Sequence, residues 1–114
     1  MELIYKILRH HEWMDAARKN TFAGSADDVR DGYLHFSSAS QVRATFARYF
    51  GTERNTFLLS VEPGRLGPGL KWEESRSGAR FPHFYGVLPL EIVHSIVEIR
   101  HDCDGRPIFP PEIP

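Results

Sequence analysis

The chain has 114 residues, 41% hydrophobic and 25% charged, with 14 Lys+Arg against 15 Asp+Glu. That length supports one hydrophobic core and leaves no room for a second independent domain, so residues 1–114 are expected to form a single domain. A net charge of −1 argues against general nucleic-acid coating, and no apolar run approaches the ~20 residues that cross a bilayer.

The N-terminus lacks the apolar core and cleavage site of a signal peptide, so the cytoplasm is the expected compartment. Cys103 is the sole cysteine and can form no intrachain disulfide. The six histidines show none of the His-x-x-x-His or His-x-His spacings that bring two imidazoles to one ion, and no metal is expected.

In chain order, Leu3 to Leu8 is a short apolar run that reads as a first strand. Trp13, Ala16 and Ala17 share one helical face, and Asn20 suits the left-handed end of that helix. The Gly, Asp and Ser content of residues 22–32 reads as a loop.

From Gly32 to Ser37 the period is two, with Leu34 and Phe36 on one face and Tyr33, His35 and Ser37 on the other. Ser38-x-x-Gln41 has capping-box spacing, Val42, Phe46, Tyr49 and Phe50 form a helical stripe, and Gly51 ends it. Residues 56–62 read as a strand, Leu70 to Glu73 as a short one, and His83 to Leu88 as another with His83 and Tyr85 on one face. Pro89 opens a helical turn, residues 95–100 form a last strand, and the proline-rich end lies extended on the surface. About six short strands with two or three helices predict an α+β domain on a mixed, mainly antiparallel sheet.

Two places carry candidate chemistry. His35 and Ser37 precede a helix start, a setting suited to an anionic ligand; the plain alternative is a buried histidine and a capping serine. Around residues 71–86, Trp72 could stack on a planar ring, Arg76 could fork onto phosphate and Glu73 could orient a hydroxyl or stabilise a developing cation. The alternative there is Trp72 and Phe81 in the core and Glu73 paired with Arg76. Glycine-rich phosphate loops and the nucleophile elbow of hydrolases are absent from the sequence.

Taken together, Ile4-Tyr5-Lys6-Ile7, Trp13 with Ala17, Gly24-Ser25, Asp28, Asp31-Gly32-Tyr33-Leu34-His35-Phe36-Ser37, Gln41, Leu70-Lys71-Trp72-Glu73 and Phe81-Pro82-His83-Phe84-Tyr85-Gly86 resemble the domain of unknown function 952 family over nearly the whole chain. The resemblance implies an ADP-ribosyltransferase-like fold, remotely similar to RNA 2′-phosphotransferases that use NAD. In that comparison Tyr5-Lys6-Ile7 stands at the first strand, Leu34-His35-Phe36-Ser37 at the second, Leu59-Ser60-Val61-Glu62 at the third and Val87-Leu88-Pro89-Leu90 at the last. Lys6-Ile7-Leu8 replaces the His-Gly-Thr that holds nicotinamide there, and no Glu-x-Glu follows.

The resemblance implies a cleft lined by Tyr5, His35, Ser37, Trp72, Glu73, Arg76, His83 and Tyr85. Within it His35 and Ser37 would bind ribose or nicotinamide, Trp72 or Tyr85 would stack, Arg76 would hold phosphate and Glu73 would stabilise a cationic transition state during transfer or hydrolysis of NAD or ADP-ribose. The rival reading is a non-catalytic module for a nucleotide or small anionic metabolite. A structural domain with His35, His83 and Tyr85 in a filled interior is the third.

Overall fold

A computed structural model describes residues 2–75 and 78–114. The N-terminal apolar run is β1 (Ile4–Leu8), and all five of its residues are buried because both faces of the strand are covered. Ile4 and Leu8 face one core cluster with Leu34, Phe36, Leu59 and Leu88. Tyr5 and Ile7 face a second, with Val42, Phe46 and Leu58. Alternation along a pleated strand thus divides the interior into two halves.

β1 lies inside a five-stranded sheet of order β10-β9-β5-β1-β4, formed with β4 (Ser37–Ser38), β5 (Thr56–Val61), β9 (Val93–His101) and β10 (Pro107–Ile108). Its pairing with β5 runs from Ile4↔Val61 to Leu8↔Phe57. A second sheet, of order β3-β7-β6, joins β3 (Leu34–His35), β7 (Arg80–Phe84) and β6 (Leu70–Glu74). A two-stranded ribbon links β2 (Thr21–Phe22) to β8 (Leu88–Pro89). Helix α1 (His10–Lys19) ends at Asn20 with φ 62°, as its sequence predicts.

Several expectations are corrected. Residues 22–32 are not one loop: they hold the end of β2 and a six-residue helix α2 (Ala26–Asp31). A helix this short displays no apolar stripe, and its start is set instead by Ser25, which accepts from the Asp28 amide while Asp28 accepts from the Ser25 amide. Gly24 permits the approach, since a Cβ there would lie 2.9 Å from the Asp28 Cβ. At the expected box before α3 (Val42–Tyr49), the Ser38 amide donates to Gln41 Oε1, but the Ser38 hydroxyl faces Ser40 and Gln41 is the N-cap.

The expected strand through residues 83–88 stops at Phe84 and resumes only as β8. Short segments of this kind raise the strand number to ten among the described residues, against about six expected, and every strand pairing there is antiparallel, within the α+β, mainly antiparallel class expected. The C-terminal segment is also not merely superficial. Phe109 and Ile113 are buried against Phe46 in the second cluster, because extended chain rich in proline can still deliver alternate apolar side chains to a core.

Candidate functional site

The segment from Tyr33 to Ser38 passes from one sheet to the other. His35 pairs with His83 across β3 and β7, and Ser37 pairs with Tyr5 across β4 and β1. Between them the Phe36 amide donates to the Pro82 carbonyl at 2.9 Å. Leu34 and Phe36 are driven into the core, so the period of two turns His35 and Ser37 into the gap between the sheets. That gap is a cleft of 270 Å³ lined by Tyr5, His35, Ser37 and His83, together with Lys6, Asp28, Tyr33 and Thr45.

A cluster of rings borders the cleft. Tyr33 stacks on His83 with centroids 4.1 Å apart, lies 4.6 Å from His35 and 5.2 Å from Tyr85, and the two imidazoles meet edge to face at 5.6 Å. Carboxylates orient both imidazoles. Asp28 Oδ1 is 2.6 Å from His35 Nδ1 and Asp31 Oδ2 is 3.0 Å from His35 Nε2, so each nitrogen of that ring is engaged. His83 is 3% exposed and its Nδ1 lies 2.8 Å from Glu73 Oε1. The Tyr85 hydroxyl donates to the same oxygen at 2.8 Å.

Beneath His35 lies a buried ion pair. Lys6 Nζ sits 2.8 Å from Asp28 Oδ2 and donates to the His35 carbonyl at 2.9 Å, with 6% and 1% of the two side chains exposed. The Phe22 and Phe36 rings lie 5.7 and 5.9 Å from the ammonium. Asp28 also accepts from the His35 and Ser25 amides. Burial by itself raises the Asp28 carboxyl, but the bonds from His35 and Lys6 outweigh it and hold the group well below the ordinary carboxylate range.

The hydrogen bond from His83, and then that from Tyr85, lowers the Glu73 carboxyl. The bond to Glu73 correspondingly raises the Tyr85 phenol. Desolvation, followed by the charges of Asp31 and Glu73, raises Tyr33. At the other end of the cleft, Arg9 is bidentate to Glu53, with Nε 3.0 Å from Oε1 and Nη2 2.9 Å from Oε2, and stacks on Phe50 at 4.5 Å. Arg30 pairs with Asp27 and Asp31. The floor is polar: Thr45 Oγ1 donates to the Gln41 carbonyl and lies 2.8 Å from Ser37 Oγ.

Of the residues singled out from sequence, Tyr5, His35, Ser37 and His83 line this cleft. Glu73 and Tyr85 join it through His83 and Tyr33. Trp72 stands opposite Pro82 on the other side of β6, and its half-exposed ring borders a different groove with His94 and Pro63. Arg76 lies outside the described residues. Sequence reasoning did not single out Lys6, Asp28 and Tyr33, which also line the cleft. A signal existed for Lys6, the one charge inside an apolar strand, and for Asp28 in the Ser25-x-x-Asp28 spacing.

Among the described residues no group of three or more His, Cys, Asp or Glu side chains could hold a metal ion. No described helix is long and apolar enough to cross a membrane.

The architecture is α+β, antiparallel curled sheets with three α-helices among the described residues, and the cleft at the junction of two sheets defines its candidate site. The chain belongs to the family described as protein of unknown function DUF952, whose model matches residues 7–96. It is similar to protein CC0527 from Caulobacter crescentus, whose X-ray structure is 45% identical with a TM-score of 0.87 and 93% of each chain covered. The solution NMR structure of CC0527 is 46% identical at a TM-score of 0.82, covering 92% of this chain and 90% of that one. No curated protein matches the chain.

Proposed function

We propose that the cleft binds the ribosyl or nicotinamide end of a small nucleotide-type ligand of the NAD and ADP-ribose class and acts on its glycosidic bond. The observation that carries this reading is the Tyr33–His83 stack beside a His35 ring clamped by Asp28 and Asp31. Planar rings offer a face to a flat heterocycle, the clamped His35 ring gives the cleft a fixed wall, and the Ser37 hydroxyl addresses ribose hydroxyls or a carboxamide.

Size and charge support one end of the ligand rather than the whole. Sites for drug-sized ligands usually span roughly 300–1,000 Å³, and this cleft of 270 Å³ suits a ring and a sugar. Lys6, Arg9 and Arg30 are already engaged by carboxylates, so the phosphates would lie toward the mouth.

The test is thermal unfolding with NAD, ADP-ribose and nicotinamide, paired with an assay of nicotinamide release. At about tenfold over the dissociation constant, linkage adds roughly 1.4 kcal/mol, and each kcal/mol moves the midpoint of a domain near 100 residues by roughly 4–8 °C. The expected result is a shift that His35→Ala abolishes. No shift with any of the three overturns the reading, and a shift without nicotinamide release would leave a non-catalytic binding module.

A further inference from the structure

We propose that His83, rather than Glu73, is the catalytic group of this cleft: its Nε2 is the general base that takes the proton from the attacking hydroxyl, with Glu73 as the positioning residue behind it. The assignment rests on the reading above that the cleft holds a ribosyl end. It follows from how the two imidazoles are used. His35 has one carboxylate at each ring nitrogen, so neither is left to take a proton from a substrate, and the ring serves as a fixed wall.

His83 has a carboxylate at Nδ1 alone, and among the described residues no partner is present at Nε2. The ring nonetheless borders the cleft. A carboxylate at Nδ1 selects the tautomer with the proton there, which leaves Nε2 with its lone pair free as an acceptor. The depressed Glu73 carboxyl keeps that charge in place to stabilise the imidazolium that forms. Tyr33, stacked on the ring, fixes its plane, and Tyr85 fixes the carboxylate.

The chemistry of the bond matches one base and no acid. When a pyridinium glycoside is cleaved, the bond between ribose C1′ and the ring nitrogen breaks and its electron pair goes to that nitrogen, so the heterocycle leaves neutral without needing a proton. A water or acceptor hydroxyl oxygen forms the new bond to C1′, and its proton passes to His83 Nε2 and then to solvent. One hydroxyl, one proton and one base balance the step.

Three measurements test the assignment. The first is the imidazole 15N spectrum of the protein without ligand, where His83 is expected with a protonated Nδ1 and a bare Nε2, and Glu73→Gln is expected to mix the tautomers. A protonated Nε2 in the neutral ring overturns the proposal whatever the ligand.

The second is nicotinamide release from NAD. His83→Gln is expected to lower kcat at least 100-fold with KM within about threefold, in the range of a lost general base. The third is rescue of His83→Ala by imidazole in the medium, which a merely structural role would not give. Because His83 is buried, both variants are compared by unfolding midpoint, and Glu73→Gln, on a half-exposed strand, serves as the second variant with an expected loss in kcat. Ligand binding with undiminished turnover in His83→Gln overturns the assignment and leaves the binding reading standing. Absence of any ligand shift overturns both.

Discussion

Lys6 and Asp28 form an ion pair 2.8 Å long that is almost wholly withdrawn from solvent, and it ties the central strand β1 to the short helix α2. Two charges leave water here at a cost that is offset because the remaining bonding capacity is used: Lys6 reaches the His35 carbonyl, and Asp28 reaches His35 and Ser25. The pair thus presets the backbone that carries His35.

Removing one member leaves the other buried without its ion-pair partner. Lys6→Met should therefore lower stability by about 3–5 kcal/mol, the range for breaking a buried pair from one side. Urea unfolding at neutral pH measures this, and a loss below about 1 kcal/mol would show that the pair contributes no more than a surface contact.

Acid should erase part of the same contribution. The Asp28 carboxyl is held below its unfolded value of 3.8, so its stabilisation is complete above that value and declines as pH falls below it toward the folded value. Asp28→Asn should accordingly be much less stable than the parent at pH 7, with the gap narrowing below about pH 4. Urea midpoints at pH 7 and pH 3 give the comparison; a gap that widens in acid contradicts the sign.

Glu73 is expected to control a phenol. Its hydrogen bond raises Tyr85, so Glu73→Ala should let Tyr85 ionise at lower pH than in the parent. Ultraviolet absorbance of phenolate through an alkaline titration reports it, and an unchanged curve would remove the contact.

At the far side of the main sheet, Ile113 is 2% exposed in the cluster with Phe46 and Phe109. Ile113→Ala should cost about 2–5 kcal/mol, as truncations of buried aliphatic side chains do. Arg43 reinforces the same closure by donating to the Ile113 and Pro114 carbonyls. Denaturation that leaves the midpoint unchanged would place this segment outside the core.

The legible parts of the sequence are those that carry a composition or period of their own. β5 is legible as a run of Thr, Phe, Leu and Val closed by Pro63-Gly64 and buried at nearly every position, Tyr33 to Phe36 by its alternation, and α1 because Trp13, Ala16, Ala17 and Asn20 mark a face and an end. α2 was not, since six residues make under two turns and its buried member is an aspartate held by a lysine 22 residues earlier.

The pairing of Ser38 with Gln41 was half right: the amide found its glutamine oxygen, but Gln41 Nε2 was drawn to the Arg80 carbonyl and the hydroxyl to Ser40. Facing and residue type suffice to put His35, Ser37 and His83 at the cleft. Lys6 escaped because its role depends on long-range partners that a local pattern does not contain, and Trp72 was misplaced because neighbouring residues on β6 face opposite ways.

Because β3 and β4 are successive pieces of one segment belonging to different sheets, Phe36 is a mechanical joint, and the cleft has one wall on each side of it. A molecule that touches His35 and Ser37 together would act as a staple between two plates. It would resist their relative tilting even without displacing a single backbone bond. Amides of β3 and β7 and amides of β1 and β4 should then become slower to exchange with solvent as one unit, so occupancy of a small cavity would be reported across both sheets.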